Sequence, residues 1–587
     1  MAFWGTIVRG GKSVVRGCYH AISDGASYVG RKGKSAIINH TDIGERLKQG
    51  VNFAREAVQK PIQRIKGACD DVAGRYRRVF EKDSDRIMST LGNDPEFVET
   101  YEKYMEKTGV DRRFAEGALG IRKTDAQFMQ ELIESSGVGP TKWAQIKSND
   151  VAFMERLTAE EPELAQAIAR TKSNCSFSRT VEEAQELIDQ SFPDQGIKIL
   201  KEMSAGSIGA AYIVERADGS KAVVKMLKKG VTKEQLDMEE ALVKKIIPQL
   251  EESPEAATKT QKMLENLYRD WREELNFAQE LENNRVLAQG AQRYKVAAIT
   301  DISKDGSCIV MDMAEGIQMN KLIKILQDYK ANPTEFATKY AKEIAANPWL
   351  ANPEKVMKEL PTTLTQTFDE QFMFMKKGGT SLMHGDPHTG NFFITADKKG
   401  RLIPEFIDTG NCVQRTGAQI QQDIDFFTNY FVGNSEGVAR YFVDQCAYKG
   451  ADKAEITEKV AKEIQETIFG QAHDITKFGD VQGNIQVILE KHGLQMSPEN
   501  ATALKAQMQF FSAISEAGHL SGQSLNMTTL LKDVPRASWS MIKAGTNPWG
   551  SIKNAVKYAF SHQQQAMGTA YQFTISDVEK LHLNVNA

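Results

Sequence analysis

Nowhere in the 587 residues is there a run of about 20 apolar side chains, so the sequence offers no membrane-spanning helix. Paired cysteines are missing too. Cys18, Cys69, Cys175, Cys308, Cys412 and Cys446 include no Cys-x-x-Cys, which points to neither a zinc site nor a disulfide framework and fits a reducing compartment. Net charge is also small: 74 Lys plus Arg against 77 Asp plus Glu gives -3, which excludes a general polyanion binder and a highly charged disordered chain. No internal repeat is visible. What the chain does have is 41% hydrophobic residues, enough for three or four units with their own cores.

The near-neutral balance hides an asymmetry. Residues 1–80 hold 15 Lys or Arg and 6 Asp or Glu. Within them, residues 1–40 are loose, basic and glycine-rich, without the apolar core of a secretory signal. They read as a disordered arm, or else as an export or organelle address, with peripheral membrane contact as a further role. Otherwise a soluble, cytoplasmic chain with no nucleic-acid partner is expected. From Val51 to Val79 the apolar spacing is helical. Short helices are expected over 85–190, broken by a turn at Gly137-Val138-Gly139-Pro140 and by Pro162.

Near residue 197 the period changes. Ile197 to Leu200 and Ala211 to Glu215 alternate as strands, and Ala217-Asp218-Gly219-Ser220 turns the chain into a return strand, Lys221 to Met226. Helices are expected over 233–250 and 257–288, with a strand at Cys308 to Met313. Beyond Gly316 helix is expected again, except for two short strands, Asn391 to Ile394 and Leu402 to Ile407, around the turn Asp397 to Gly400.

The sharpest chemistry lies in His384-Gly385-Asp386-Pro387-His388-Thr389-Gly390-Asn391, followed by Ile407-Asp408-Thr409-Gly410. Phosphoryl transfer from ATP needs a carboxylate to orient the acceptor and oxygen ligands to hold Mg²⁺ on the phosphates. An Asp and an Asn five apart on one loop, then an Asp after a hairpin, have that spacing. Asp386 is expected to orient or deprotonate the acceptor, and Asn391 and Asp408 to bind the metal. A zinc site on His384 and His388 is disfavoured, because Gly385 and Pro387 spoil a shared helical face. Upstream, Ser204-Ala205-Gly206-Ser207-Ile208-Gly209 joins two expected strands, where small residues let backbone amides approach phosphate oxygens. Lys225 stands on the next strand, placed to grip those phosphates. Met311 and Met313, on a hinge-like strand, complete the nucleotide-binding candidates. As a partner for Lys225, Glu239 or Glu240 is the nearest helical carboxylate.

Taken in order, these segments resemble the UbiB family of atypical, protein-kinase-like proteins linked to coenzyme Q biosynthesis. Its loop is Ala-rich with Ser-Ile-Gly, its catalytic loop looks like His-Ala-Asp-Pro-His-Pro-Gly-Asn, and its metal Asp lies in Asp-Phe-Gly. Two further family motifs have partial matches: Lys-x-Gly-Gln in Lys142-Trp143-Ala144-Gln145, and Glu-x-Asp in Glu274-Leu275-Asn276. Gly206, Ala144, Asn276 and Thr409 depart from the family pattern. The resemblance spans about residues 138–450. It implies an α+β, two-lobed protein-kinase-like fold with an α-helical N-terminal extension, which binds ATP and Mg²⁺. It also implies that Lys225 pairs with Glu274 and that Lys142 and Gln145 lie over the active site.

The expected organisation is a basic arm with helices over 1–90 and a helical extension carrying the Lys142 motif over 91–196. A kinase-like N-lobe over 197–315, a helical C-lobe over 316–540 and a polar tail over 541–587 follow. The expected activity is an atypical kinase or ATPase acting on a protein, a lipid-like small molecule or water. A small-molecule kinase of the aminoglycoside or choline type and a nucleotide-binding pseudokinase scaffold are the alternatives.

Overall fold

A computed structural model describes residues 91–522 with breaks at 92, 109–136 (where only 126, 130, 133 and 134 are described), 149–150, 161, 172–174, 176, 250–252, 374–379, 447 and 471–477, then 550, 551, 553 and 554. The expected arm and helices over 1–90 lie outside the described residues, as does most of the tail expected over 541–587. The chain divides into two compact units at Leu275–Asn276, with Ser303–Ile309 belonging to the first.

The first unit opens with helices α1 (Pro95–Thr108), α2 (Val138–Lys147), α3 (Val151–Glu160), α4 (Pro162–Thr171) and α5 (Val181–Ser191). Three antiparallel strands follow: β1 (Lys198–Ala205), β2 (Gly209–Glu215) and β3 (Lys221–Leu227). The β2–β3 hairpin is the one the alternation predicts. Ala210, Tyr212 and Val214 are buried on one strand, and Ala222, Val224 and Met226 on the other. Its turn relies on Gly219 at φ +81°, where a side chain would be strained. Helices α6 (Lys233–Ile246) and α7 (Pro254–Glu274) complete the unit.

Two expectations need correction here. The segment 137–140 is a helix start and not a turn: Gly137 adopts φ +117° and α2 begins at Val138. Pro140 is accommodated because the first helical turn has no use for its missing N–H. The helix expected over 257–288 is two helices, since Asn276 accepts a hydrogen bond from Gln279 N–H at 3.1 Å and so caps α8 (Phe277–Ala288).

The second unit contains α8 and short strands β4 (Lys295–Val296), β5 (Ile299–Ile302) and β7 (Ile317–Gln318), while β6 (Cys308–Asp312) spans the division. Helices α9 (Met319–Ala331) and α10 (Pro353–Phe368) precede β8 (Thr380–His384), β9 (Phe392–Ala396), β10 (Leu402–Phe406) and β11 (Cys412–Thr416). Helices α11 (Gly417–Phe431), α12 (Ser435–Gln445), α13 (Lys453–Ile464), α14 (Phe478–Lys491) and α15 (Pro498–Ser521) follow. The expected β9–β10 hairpin is flanked in the order β4-β10-β9-β7, and β8 pairs with β11. Strands β8 and β11 were not anticipated. The inward face of β11 is Val413 and Arg415, and a fully buried arginine disguises the alternation as a polar stretch.

Beneath the β9–β10 hairpin lies an aromatic floor. Phe510 of α15 packs on Phe392 of β9 and Phe406 of β10, with ring centroids 5.3 and 5.8 Å apart, and on Phe368 and Phe372 beyond the opposite wall. Such ring pairs add about 0.5–1.5 kcal/mol each beyond their buried area. Arg415, wholly buried, forms a two-pronged ion pair with Asp423 of α11 at 2.7 and 2.8 Å and donates to Asn500 Oδ1 of α15. Gln507 of α15 and Tyr441 of α12 donate to the same carboxylate. Burial nevertheless pushes the Asp423 carboxyl upward against Arg415 and these donors.

Candidate active site

Strand pairing assembles the loop residues of the second unit. His384 lies opposite Cys412 in the β8–β11 ladder, and Phe392 lies opposite Phe406 in the β9–β10 ladder. Asp386 is two residues past the first ladder, Asn391 one residue ahead of the second, and Asp408 two residues beyond Phe406. The segments are stitched by Ile407 N–H donating to Asn391 O at 2.9 Å and Gly385 N–H donating to Asn411 O at 2.7 Å. Gly385 is required by this approach, because a Cβ there would lie 2.8 Å from the Asn411 carbonyl oxygen.

His384 is a scaffold for the loop. Its Nδ1 accepts the Asp386 N–H at 3.1 Å, so Nε2 carries the proton and donates to Ile407 O at 2.9 Å. Burial lowers its pKa, which keeps the ring neutral in that tautomer. With both nitrogens engaged, His384 is not available to zinc. Among the described residues no group of three or more His, Cys, Asp or Glu is arranged to hold a metal ion.

Asn391 Nδ2 donates to the Asp386 carbonyl at 3.0 Å, which fixes the amide and leaves Oδ1 as its open acceptor. Asp408 is exposed and adopts φ +58°, a left-handed conformation that Asp tolerates better than most residues. An amide oxygen and a carboxylate are the hard donors that Mg²⁺ prefers, the remaining positions going to phosphate and water, so the pair fits that ion. Thr409, where the family has Phe, is buried. Its hydroxyl donates to Glu280 O at 3.1 Å, and its carbonyl accepts from Asn283 at 3.0 Å. The α8 helix thus holds the Asp-Thr-Gly segment. Glu280 is itself buried, with Oε2 3.4 Å from where a Cβ on Gly410 would be.

Asp386 is partly buried. Burial raises its carboxyl, but the Lys505 ammonium leads a set of partners that hold it below the usual carboxylate range. Lys505 Nζ of α15 is 2.9 Å from Oδ1, and His388 Nε2 is 3.8 Å from Oδ2. Sequence reasoning missed Lys505 and Glu280. Glu280 stands six residues after Glu274, a short step past the Glu274-Leu275-Asn276 match, whereas nothing local to Lys505 marks it.

The first unit holds the other candidates. The loop from Ala205 to Gly209 closes with Gly206 N–H donating to Gly209 O at 2.8 Å, and Gly206 and Ser207 face outward more than Ala205 and Ile208. Gly209 is needed because a Cβ would come within 2.9 Å of Met226 O. Ile208 shares a small apolar cluster with Val138 of α2, Leu236, Tyr268 and Trp271, which anchors the loop beside the extension helix. Lys225 is half-buried on β3 opposite Ala211. Glu274 accepts both hydrogen bonds from Lys142 Nζ, at 3.0 and 2.8 Å. Glu240 pairs with Arg272 and Lys244. Gln145 donates to Thr171 O at 2.9 Å, tying α2 to α4. In the second unit, Met311 is buried on β6 and Met313, just past its end, is exposed.

Glu239, the other nearby carboxylate, has a different task. It accepts the N–H groups of Val138 and Gly139 at 3.1 and 2.8 Å, capping α2 from α6. Gly137 and Gly139 permit this, since a Cβ would lie 2.0 and 2.7 Å from its two oxygens.

Residues 177–442 match the family model described as the ABC1 atypical kinase-like domain. That segment carries a kinase-like α+β fold with strand-rich and helical parts. No curated protein matches the chain. Among solved structures it is similar to Rv3197 of Mycobacterium tuberculosis, solved with erythromycin, at 15% identity over 58% of this chain and 82% of that one, TM-score 0.31. It is also similar to the kinase domain of Mycobacterium tuberculosis PknI, at 14% identity over 55% and 96%, TM-score 0.21. A third is the GDP complex of aminoglycoside 2'-phosphotransferase-IIIa, at 14% identity over 54% and 100%, TM-score 0.21. Among the described residues no helix is long and apolar enough to cross a membrane.

Proposed function

We propose that the chain is a UbiB-like atypical kinase or ATPase, which binds Mg²⁺-ATP and passes the γ-phosphoryl to an acceptor or to water. The observation that carries this reading is the stitching of Asp386, Asn391 and Asp408 onto two neighbouring ladders, with an orienting carboxylate and two hard oxygen donors. Asn391 and Asp408 are the residues to hold Mg²⁺. When bound, the ion supplies charge neutralisation of the triphosphate. Asp386 orients the acceptor hydroxyl and receives its proton, as the acceptor oxygen bonds to the γ-phosphorus and the electron pair of the broken P–O bond stays on ADP. The Ser207 and Ile208 amides at the tip of the Ala205 to Gly209 loop and the Lys225 ammonium suit phosphate oxygens, and Met311 and Met313 suit the base. A link to coenzyme Q chemistry rests on the family resemblance alone.

The test is ADP release and autophosphorylation by the purified full chain with Mg²⁺-ATP, with and without protein and lipid-like acceptors. Asp408→Ala should lose Mg²⁺-dependent nucleotide stabilisation in a thermal-shift assay. Asp386→Asn should keep it and lose about 10² to 10⁴ of turnover, the range for a positioned acid or base. Nucleotide binding without turnover would favour a scaffold, and phosphorylation confined to an amino sugar or amino alcohol would favour a small-molecule kinase.

A further inference from the structure

Among the described residues, the cation closest to Asp386 comes from outside the matched kinase-like segment. Lys505 stands on α15, well past residue 442, yet its Nζ is 2.9 Å from Asp386 Oδ1. That oxygen is sealed from solvent and meets the ammonium as an ion pair, whereas Oδ2 has His388 Nε2 at 3.8 Å, beyond hydrogen-bond range, and the Gln509 side chain of α15 also supports the carboxylate. The two carboxylate oxygens therefore have different surroundings, one buried against the ammonium and one on the His388 side of the group.

The helix that presents Lys505 is fixed around it. Ser497 caps α15 by accepting from Asn500 N–H, and Asn500 takes a hydrogen bond from Arg415 at 2.7 Å. Gln507 donates to Asp423 at 3.0 Å, and Phe510 is locked in the aromatic floor directly beneath β9 and β10. The same strands carry the catalytic loops, so the ammonium is held in a frame shared with Asp386. Lys505 and Asp386 side chains remain 43% and 30% exposed, and pairs this accessible contribute little to stability, about 0–1 kcal/mol. Its placement against Asp386, rather than any gain in stability, is then what the pair offers.

We propose that Lys505 is a positioning residue for phosphoryl transfer: its ammonium clamps Asp386 by Oδ1 and aims Oδ2 at the acceptor hydroxyl or water. This deepens the proposed function and rests on it. In the step itself the acceptor oxygen bonds to the γ-phosphorus, the bond to ADP breaks with its electron pair left on ADP, and the acceptor proton leaves through Oδ2 to solvent. Lys505 neither gains nor loses a proton. Holding a reacting group within tenths of an ångström matters because a misplacement of about 1 Å can cost about 100-fold in rate.

The test uses the full chain as wild type, Lys505→Met, Lys505→Arg, Asp386→Asn and the double variant Lys505→Met/Asp386→Asn. Mg²⁺-ATP turnover, nucleotide affinity and melting temperature are measured for each. Lys505→Met should lower kcat about 10- to 100-fold with affinity and melting temperature held, and Lys505→Arg should restore most of the rate. The double variant should be no slower than Asp386→Asn alone, because the lysine acts through that carboxylate. Wild-type or faster turnover in Lys505→Met, or multiplicative losses in the double variant, would overturn the inference. So would a loss that follows a fall in melting temperature in both Lys505 variants. A wild-type chain that binds nucleotide but turns none over defeats the phosphotransfer reading, and this inference with it. An active wild type matched by Lys505→Met defeats this inference alone.

Discussion

Replacing Glu239 with Gln should make the first unit indifferent to a pH change that the native chain feels. The Glu239 carboxyl is fully buried, and burial raises its pKa from the ordinary 4.5 to about 7 even though Val138 N–H, Gly139 N–H, Tyr104 and Gln235 all favour the charged form. An acid whose pKa is higher in the folded state stabilises most below the unfolded value. That contribution is fully present at pH 4.5 and below, is lost as pH climbs to 7, and stays lost above it. At about 1.4 kcal/mol per pKa unit the swing is on the order of 3 kcal/mol. Gln keeps one acceptor oxygen for the α2 amides but cannot ionise. Urea unfolding of both chains at pH 4.5, 6 and 8 provides the measurement, followed through protection of residues 137–148 against hydrogen exchange. The wild type should lose about 3 kcal/mol relative to Glu239→Gln between pH 4.5 and 8, most of it before pH 7. Parallel profiles for the two chains would refute the reasoning.

Two further outcomes follow from the same geometry. Asp423→Asn leaves Arg415 buried without its counter-charge and should cost about 3–5 kcal/mol in chemical denaturation, with Asp423→Leu no better because the guanidinium remains. Lys142→Met frees Glu274 from its clasp, so ATP turnover or autophosphorylation should change while unfolding stability falls by less than about 1 kcal/mol, given that Glu274 is 40% exposed. Unchanged activity in this variant would detach the α2 helix from the chemistry.

Much of the chain was legible where local chemistry decides the outcome. The β2–β3 hairpin follows from alternation plus a glycine that takes positive φ, and the β9–β10 hairpin from Asp397 accepting the N–H groups of Lys399 and Arg401. The order of the glycine loop, Lys225, Asp386, Asn391 and Asp408 along the chain is plain from the sequence, and their roles belong to the proposed function. What escaped depends on tertiary proximity. Arg415 puts a charged side chain on the inward face of β11 and so breaks the apolar alternation there, and Lys505 is one lysine among many until α15 is folded against the loop. The partner of Lys142 shows the limit of motif reading: the segment was noticed, and Glu274 was noticed, but their mutual bond was not. Glu239 looked like a spare kinase carboxylate and proves to be a helix cap.

The aromatic floor also imposes an order on the birth of the molecule. Phe392 and Phe406 leave the ribosome before Phe510, the ring that covers them, has been made. At about 5–20 residues per second, the roughly 100 residues between Phe406 and Phe510 take about 5–20 seconds to synthesise. Throughout that interval the hairpin beside the Asp386 loop presents an uncovered apolar face. The nascent chain is then a natural client for chaperones that shield aromatic surface, and slowing translation between these residues would lengthen its exposure.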